Sequence, residues 1–135
     1  MSEPPKAYEV EFYVTLSGDC PVDEYLDDLV LKHRAKVEKW IEKLEEQGPN
    51  LPRPYADVLE GPIRELRIQF GHMKYRILYF IHKRIVLLTH GIVKKTGLVP
   101  PGEIDRAKRC MDEQPDRGLP ALALVHRVKE PKPFP

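Results

Sequence analysis

The sequence has few of the residues on which several common protein chemistries depend. Its 135 residues include only two cysteines, Cys20 and Cys110, which lie far apart and outside any CxxC spacing. This spacing argues against a disulfide scaffold and against a cysteine zinc site. We interpret both cysteines as small hydrophobic residues without a chemical role, and we expect a reducing, cytoplasmic setting.

Long apolar runs and secretion signals are also missing. No run approaches the ~20 apolar residues that cross a bilayer, and residues 1–6 do not form a basic segment leading into an apolar one. We therefore expect neither secretion nor membrane anchoring.

Several catalytic and cofactor motifs are absent from the sequence. There is no GxxxxGK[ST] or GxGxxG loop to hold a nucleotide, and neither Ser2 nor Ser17 lies in a GxSxG motif. The five histidines show no HxxxH spacing and no His/Cys cluster. The sequence therefore predicts no metal site and no small-molecule cofactor.

The composition that is present fits one soluble domain. Hydrophobic residues make up 41% and charged residues 32% of the chain. At this length the hydrophobic content is enough to form a core without disulfides or structural metal ions. We predict a single domain over residues 1–135, in which 113–135 form a proline-rich C-terminal extension.

Charge is strongly segregated along the chain although the net charge is only +1. Residues 1–60 contain 7 basic and 14 acidic side chains, whereas residues 61–109 contain 11 basic and 3 acidic ones. Such segregation indicates that the central segment meets an anion, and a polyphosphate backbone is the most frequent anion of this size. The alternative is that the two halves neutralise each other within the fold.

The first half of the chain predicts a strand followed by helix. Residues 8–16 alternate in polarity, with Tyr8, Val10, Phe12, Val14 and Leu16 on the predicted buried face. From residue 21 to residue 48 the apolar period changes to three and four, which fits one long helix or two joined helices. The proline-rich residues 48–62 are predicted to form a connecting loop with at most one helical turn.

The second half predicts an antiparallel meander of three strands over residues 65–70, 74–82 and 85–91, followed by a short helix over 103–111. The fold class is therefore α+β, with the N-terminal strand and helices packed on the meander. The apolar patch at 119–128 is interpreted as an edge strand or a cover for the sheet.

A two-residue turn at Gly71 and His72 sets the register of the first hairpin. Arg67 then lies opposite Arg76, on the polar face that also carries Glu65 and Lys74. Two arginines in this position repel each other unless an anion lies beside them, and either Glu65 or a phosphate can supply it.

Other candidate residues surround this arginine pair in the predicted topology. Lys94 and Lys95 follow the third meander strand at the rim of the same surface, and His90 is the candidate for proton transfer. Tyr79 is interpreted as a core residue. Taken singly, each basic residue is more often a solvated surface charge, so the prediction depends on their convergence.

An ordered series of short motifs resembles a known family. The strings Ile63-Arg64-Glu65-Leu66-Arg67-Ile68, Tyr75-Arg76-Ile77-Leu78-Tyr79-Phe80, Val86-Leu87-Leu88-Thr89-His90-Gly91, Lys94-Lys95-Thr96 and Pro101-Gly102-Glu103-Ile104 resemble the HigB-type, phage-derived branch of the RelE/ParE toxin superfamily. The resemblance covers residues 8–111.

The resemblance implies a toxin that cuts messenger RNA on the ribosome without metal and is inhibited by a cognate antitoxin, often a small helix-turn-helix protein. It implies that the ribose 2′-OH attacks phosphorus, with Arg67 and Arg76 stabilising charge. Lys94 and Lys95 would bind the backbone or move a proton, Glu65 would orient an arginine or act as a base, and the basic face, with Lys74 and Arg64, would bind RNA. Relatives often have a C-terminal Tyr or His for proton transfer, whereas this tail offers only His126.

The alternatives are a non-catalytic RNA- or protein-binding module and a gyrase-directed toxin of the ParE type.

Overall fold

The computed structural model describes residues 7–94 and 98–117. The elements are, in chain order, β1 (Glu9–Phe12), α1 (Pro21–Asp27), α2 (Leu31–Gln47), β2 (Ala56–Glu60), β3 (Ile63–Phe70), β4 (Met73–His82), β5 (Ile85–Lys94) and α3 (Pro101–Arg117). The α+β class is confirmed. The patch at 119–128, together with Lys95 and His126, lies outside the described residues.

The five strands form one mixed sheet in the order β1-β5-β4-β3-β2. The predicted meander is present as β3, β4 and β5, and Arg67 pairs with Arg76 as the two-residue turn requires. The sheet is not purely antiparallel, because β1 joins it as an edge strand parallel to β5. The prediction of the register is confirmed.

The predicted helical region consists of two helices rather than one. Pro21 occupies the first turn of α1, where its missing N–H costs no hydrogen bond. Val30 has extended backbone angles, with φ −65° and ψ 152°, and separates the two helices. Helix α2 then buries Val37, Ile41 and Leu44 at steps of four and three residues.

The predicted loop over 48–62 is wrong in part. It contains a short 3-10 helix at Gly48–Asn50 and then the edge strand β2, which pairs antiparallel with β3 and has an irregularity between Val58 and Glu60. The strand is short, prolines precede and follow it, and its sequence shows no clear alternation of apolar and polar residues. Pairing with β3 supplies the order that local propensity does not.

The first predicted strand is also shorter than expected. The strand ends at Phe12 instead of residue 16, Leu16 is 82% exposed, and Glu11 and Tyr13 are buried. The simple alternation fails because helices cover both faces of the sheet. On one side the Tyr13 hydroxyl donates to Glu113 of α3, while α1 and α2 pack on the other side.

Helices therefore lie on both sides of the sheet. Tyr25 of α1 packs against Gly91, where an added Cβ would lie 2.5 Å from the Tyr25 ring. The neighbouring residue His90 points to the opposite face, where it contacts Glu103 of α3. Helix α3 extends to Arg117, beyond the predicted end at residue 111. No described helix is both long enough and apolar enough to span a membrane.

Candidate functional site

The candidate site lies on the sheet face that carries Glu65, Arg67 and Arg76, called here the arginine face. Cross-strand pairing builds it in rows, and Arg67 on β3, Arg76 on β4 and Ile92 on β5 form one row. Neighbouring strands lie ~4.8 Å apart, so the two arginine side chains leave the sheet side by side.

A single buried carboxylate separates the two guanidinium groups. Oε2 of Glu65 accepts from Nε of Arg67 at 3.0 Å and lies 2.9 Å from Nη2 of the same arginine. Oε1 of Glu65 lies 3.1 Å from Nε of Arg76. The Glu65 side chain is 5% exposed, whereas those of Arg76 and Arg67 are 15% and 32% exposed. The acid therefore lies beneath the arginines and holds both.

A second carboxylate extends this network to β2. Oδ2 of Asp57 lies 3.2 Å from Nη2 of Arg67, while Oδ1 accepts from Nε of Arg53 at 3.0 Å and from the Val58 N–H at 2.8 Å. Stacking of Tyr55 on Trp40 of α2, with ring centroids 4.5 Å apart, anchors the segment that carries these residues.

Asp57 and Arg53 are the site residues that sequence analysis missed. They belong to the region that was predicted as a loop, where no periodicity indicates a face. The available signal was the i, i+4 spacing of the opposite charges on Arg53 and Asp57, which is too common to identify a site.

Two members of the network, Arg76 and Asp57, have shifted pKa values. Burial lowers the pKa of Arg76, and Arg67 lowers it further, while Glu65 opposes both effects. Partial burial raises the pKa of Asp57, but the Val58 N–H, Arg53 and Arg67 together outweigh it and lower that pKa below its usual value. Arg76 stays protonated and Asp57 stays ionised near neutral pH.

Donors remain available at the surface of this network. Among the described residues, Nη1 of Arg67 and Nη2 of Arg76 have no hydrogen-bond partner, since Nη1 of Arg76 donates to the Tyr75 carbonyl at 3.1 Å. The network of three arginines (Arg53, Arg67 and Arg76) and two carboxylates (Glu65 and Asp57) retains one net positive charge, and it presents these free Nη atoms. This arrangement can bind an oxyanion.

The structure brings some of the predicted basic residues to this site and separates others. Lys74 lies two residues before Arg76 on the same face, and Lys94 is its register partner on β5. Arg64 pairs with Tyr79 and is out of phase with Arg67, so it lies on the opposite face. Burial raises the pKa of the Tyr79 hydroxyl to about 12, against the effect of Arg64.

His90 lies in the row next to the arginines but is not accessible. Its side chain is 1% exposed, with Nε2 3.0 Å from Oε1 of Glu103 and Nδ1 3.0 Å from the Thr89 hydroxyl. Burial lowers the pKa of His90 to about 4, with a further contribution from Arg106 and an opposing one from Glu103. A group so enclosed is placed to hold α3 on the sheet and not to touch a substrate.

Comparison with known proteins places the chain in a family. Residues 24–112 match the model of the family described as Phage derived protein Gp49-like (DUF891). The match covers most of the chain, and the protein therefore belongs to this family.

Among solved structures, the chain is similar to a chain of the archaeal RelE-RelB complex from Pyrococcus horikoshii OT3, with 19% sequence identity and a TM-score of 0.47. The similarity covers 69% of this chain and 99% of the other. A search of curated proteins found no match.

Proposed function

We propose that this protein is the toxin of a toxin-antitoxin system and cuts messenger RNA on the ribosome without a metal ion. The observation that carries the proposal is the in-register pair Arg67 and Arg76, held by Glu65 with free Nη donors at the surface. The resemblance of the motif series to the HigB-type toxins supports the choice of RNA as the phosphate ligand.

In the proposed reaction the ribose 2′-OH attacks the adjacent phosphorus and the bond to the 5′-oxygen of the next nucleotide breaks. The products are a 2′,3′-cyclic phosphate and a free 5′-OH. Negative charge increases on the nonbridging oxygens during the attack, and Arg67 and Arg76 stabilise it through their free Nη atoms. Fixed donors of this kind contribute most when they are oriented before the substrate binds.

Glu65 orients the two arginines in this proposal and is not the base. Both of its oxygens already face guanidinium nitrogens at 2.9–3.1 Å, and the side chain is nearly buried. Lys74 and Lys94, which are register partners next to the arginine row, are proposed for RNA backbone binding, and Lys94 and Lys95 also for proton transfer. His90 acts from beneath the surface as a positioning residue.

The same geometry supports one second candidate, a non-catalytic RNA-binding module. The observation that favours it is the enclosure of His90, because a buried imidazole cannot exchange protons with a substrate on the surface. The partners proposed for the toxin are the ribosome, mRNA and a cognate antitoxin, and the proposed location is the cytoplasm.

Cleavage of a defined mRNA in a translating extract tests the proposal. Purified wild type, free of antitoxin, is expected to give new 5′ ends, and Arg76→Ala is expected to remove them. Arg84→Ala is the matched control, since Arg84 is an exposed arginine in the turn beyond the far end of β4. Circular dichroism checks that each variant is folded. Undiminished cleavage by Arg76→Ala would contradict the proposal, and salt-sensitive RNA binding without cleavage would favour the second candidate.

A further inference from the structure

We propose that Arg53 forms a second phosphate subsite, so that Arg53 and the pair Arg67/Arg76 hold successive phosphates of one RNA single strand. This inference rests on the proposed function in taking RNA as the ligand. It does not require that the RNA be cut.

A continuous series of ion pairs connects Arg53 to the arginine pair. Oδ1 of Asp57 lies 3.0 Å from Nε of Arg53, and Oδ2 lies 3.2 Å from Nη2 of Arg67. Glu65 then joins Arg67 to Arg76. Basic and acidic groups therefore alternate from the segment before β2 across β3 to β4, and Asp57 connects Arg53 to the pair.

The exposure of these groups shows which charges a ligand meets. The Arg53 side chain is 78% exposed, whereas the Asp57 side chain is 18% exposed and that of Glu65 is nearly buried. The outer layer of the network is therefore cationic and the inner layer is anionic. Only Nε of Arg53 has a partner among the described residues, so both of its Nη atoms remain available to a phosphate.

The extent of the network favours a polyanion over a single anion. Arg53 precedes β2 and Arg76 lies on β4, and these two strands are two spacings apart, roughly 10 Å, so the network has a length that suits phosphates in series. Three arginines and two carboxylates also leave the network with a net positive charge. A flexible single strand supplies phosphates in series, and its binding is driven largely by such contacts.

An NMR titration with uncleavable 2′-O-methyl RNA tests the subsite and measures weak binding directly. A dinucleotide with one phosphodiester is compared with a tetranucleotide with three. We expect Arg53→Gln to weaken binding of the tetranucleotide and to leave the affinity for the dinucleotide unchanged. For the tetranucleotide, the slope of log affinity against log salt concentration is expected to become smaller in magnitude by about 0.7. This change in slope means that the variant loses roughly threefold less of its affinity for the tetranucleotide than wild type does between 50 and 200 mM salt.

Two further variants sharpen the test. Arg53→Lys keeps the charge and is expected to keep the salt dependence of binding. Arg84→Gln removes an equal charge far from the site and is expected to leave the binding of both RNAs unchanged. The inference is overturned if Arg53→Gln and Arg84→Gln behave alike, if neither RNA binds, or if Arg53→Gln weakens both RNAs equally. The last result would mean that Arg53 acts only by positioning Arg67.

The extract assay separates this inference from the proposed function. Arg76-dependent cleavage together with no effect of Arg53→Gln on binding would remove the subsite alone. A length-dependent effect of Arg53→Gln in a protein that cuts no mRNA would remove the catalytic proposal and leave the subsite.

Discussion

Replacing Glu65 by Gln tests whether one carboxylate organises the arginine face. The change keeps the size of the side chain but removes the charge that lies between Arg67 and Arg76. In the native structure three guanidinium nitrogens lie 2.9–3.1 Å from the carboxylate oxygens. The glutamine amide retains one oxygen acceptor and turns an NH2 group toward the other arginine, where a donor faces a donor.

The magnitude follows from burial and from what remains. Removing one partner of a fully buried ion pair costs about 3–5 kcal/mol. The Glu65 side chain is nearly buried, but the arginines retain part of their hydration, since their side chains are 15% and 32% exposed. Discounting for this exposure and for the acceptor that glutamine keeps, we expect a loss of about 2 kcal/mol in the free energy of unfolding.

Urea unfolding followed by circular dichroism measures this loss. With a slope of about 1–3 kcal/mol per molar urea, the midpoint is expected to fall by roughly 1 M. Glu42→Gln on the exposed side of α2 is the matched control and is expected to stay within about 0.5 kcal/mol of wild type. A Glu65→Gln variant as stable as this control would refute the idea that Glu65 holds the arginine pair.

Three other changes have defined outcomes. His90 has a pKa of 6.5 in the unfolded chain and about 4 in the folded one, so it is protonated more readily when the chain is unfolded. Its contribution to the free energy of unfolding therefore falls by about 1.4 kcal/mol per pH unit as the pH decreases between these two values. His90→Gln is expected to flatten the pH dependence of stability in this range, and an unchanged pH dependence would contradict the reasoning. Gly91→Ala places a Cβ 2.5 Å from the Tyr25 ring and is expected to lower the free energy of unfolding, measured in urea, by about 1–3 kcal/mol. This loss is expected to be smaller when Gly91→Ala is made in a chain that also carries Tyr25→Ala. Leu44→Ala in the core is expected to cost about 2–5 kcal/mol by the same assay, and a loss below 1 kcal/mol would show that α2 does not pack as described.

The central part of the site could be predicted from the sequence because local rules determine it. The turn at Gly71, which has φ 61°, fixes the hairpin register, and the register alone brings Arg67 opposite Arg76. Once one face of the hairpin is buried, a slip by one residue would turn its apolar side chains to solvent. Turn geometry and apolar pattern therefore specify the same pairing.

The outer part of the site could not be predicted because it depends on contacts distant in sequence. Asp57 reaches Arg67 only because β2 pairs with β3, and Tyr55 anchors the preceding segment only because it stacks on Trp40. The burial of His90 likewise depends on α3, which begins eleven residues later in the chain. None of these contacts leaves a periodic pattern in the residues concerned.

The ion pairs at Glu65 do not by themselves neutralise the arginine face. One carboxylate shared by Arg67 and Arg76 leaves a unit of positive charge, and adding Asp57 and Arg53 to the network leaves the balance the same. The acids instead fix the direction of each guanidinium, so less rotational freedom is lost when an anion binds. An internal salt-bridge network and an anion site are therefore compatible in this sheet, because the buried carboxylates orient the donors and the excess positive charge faces outward.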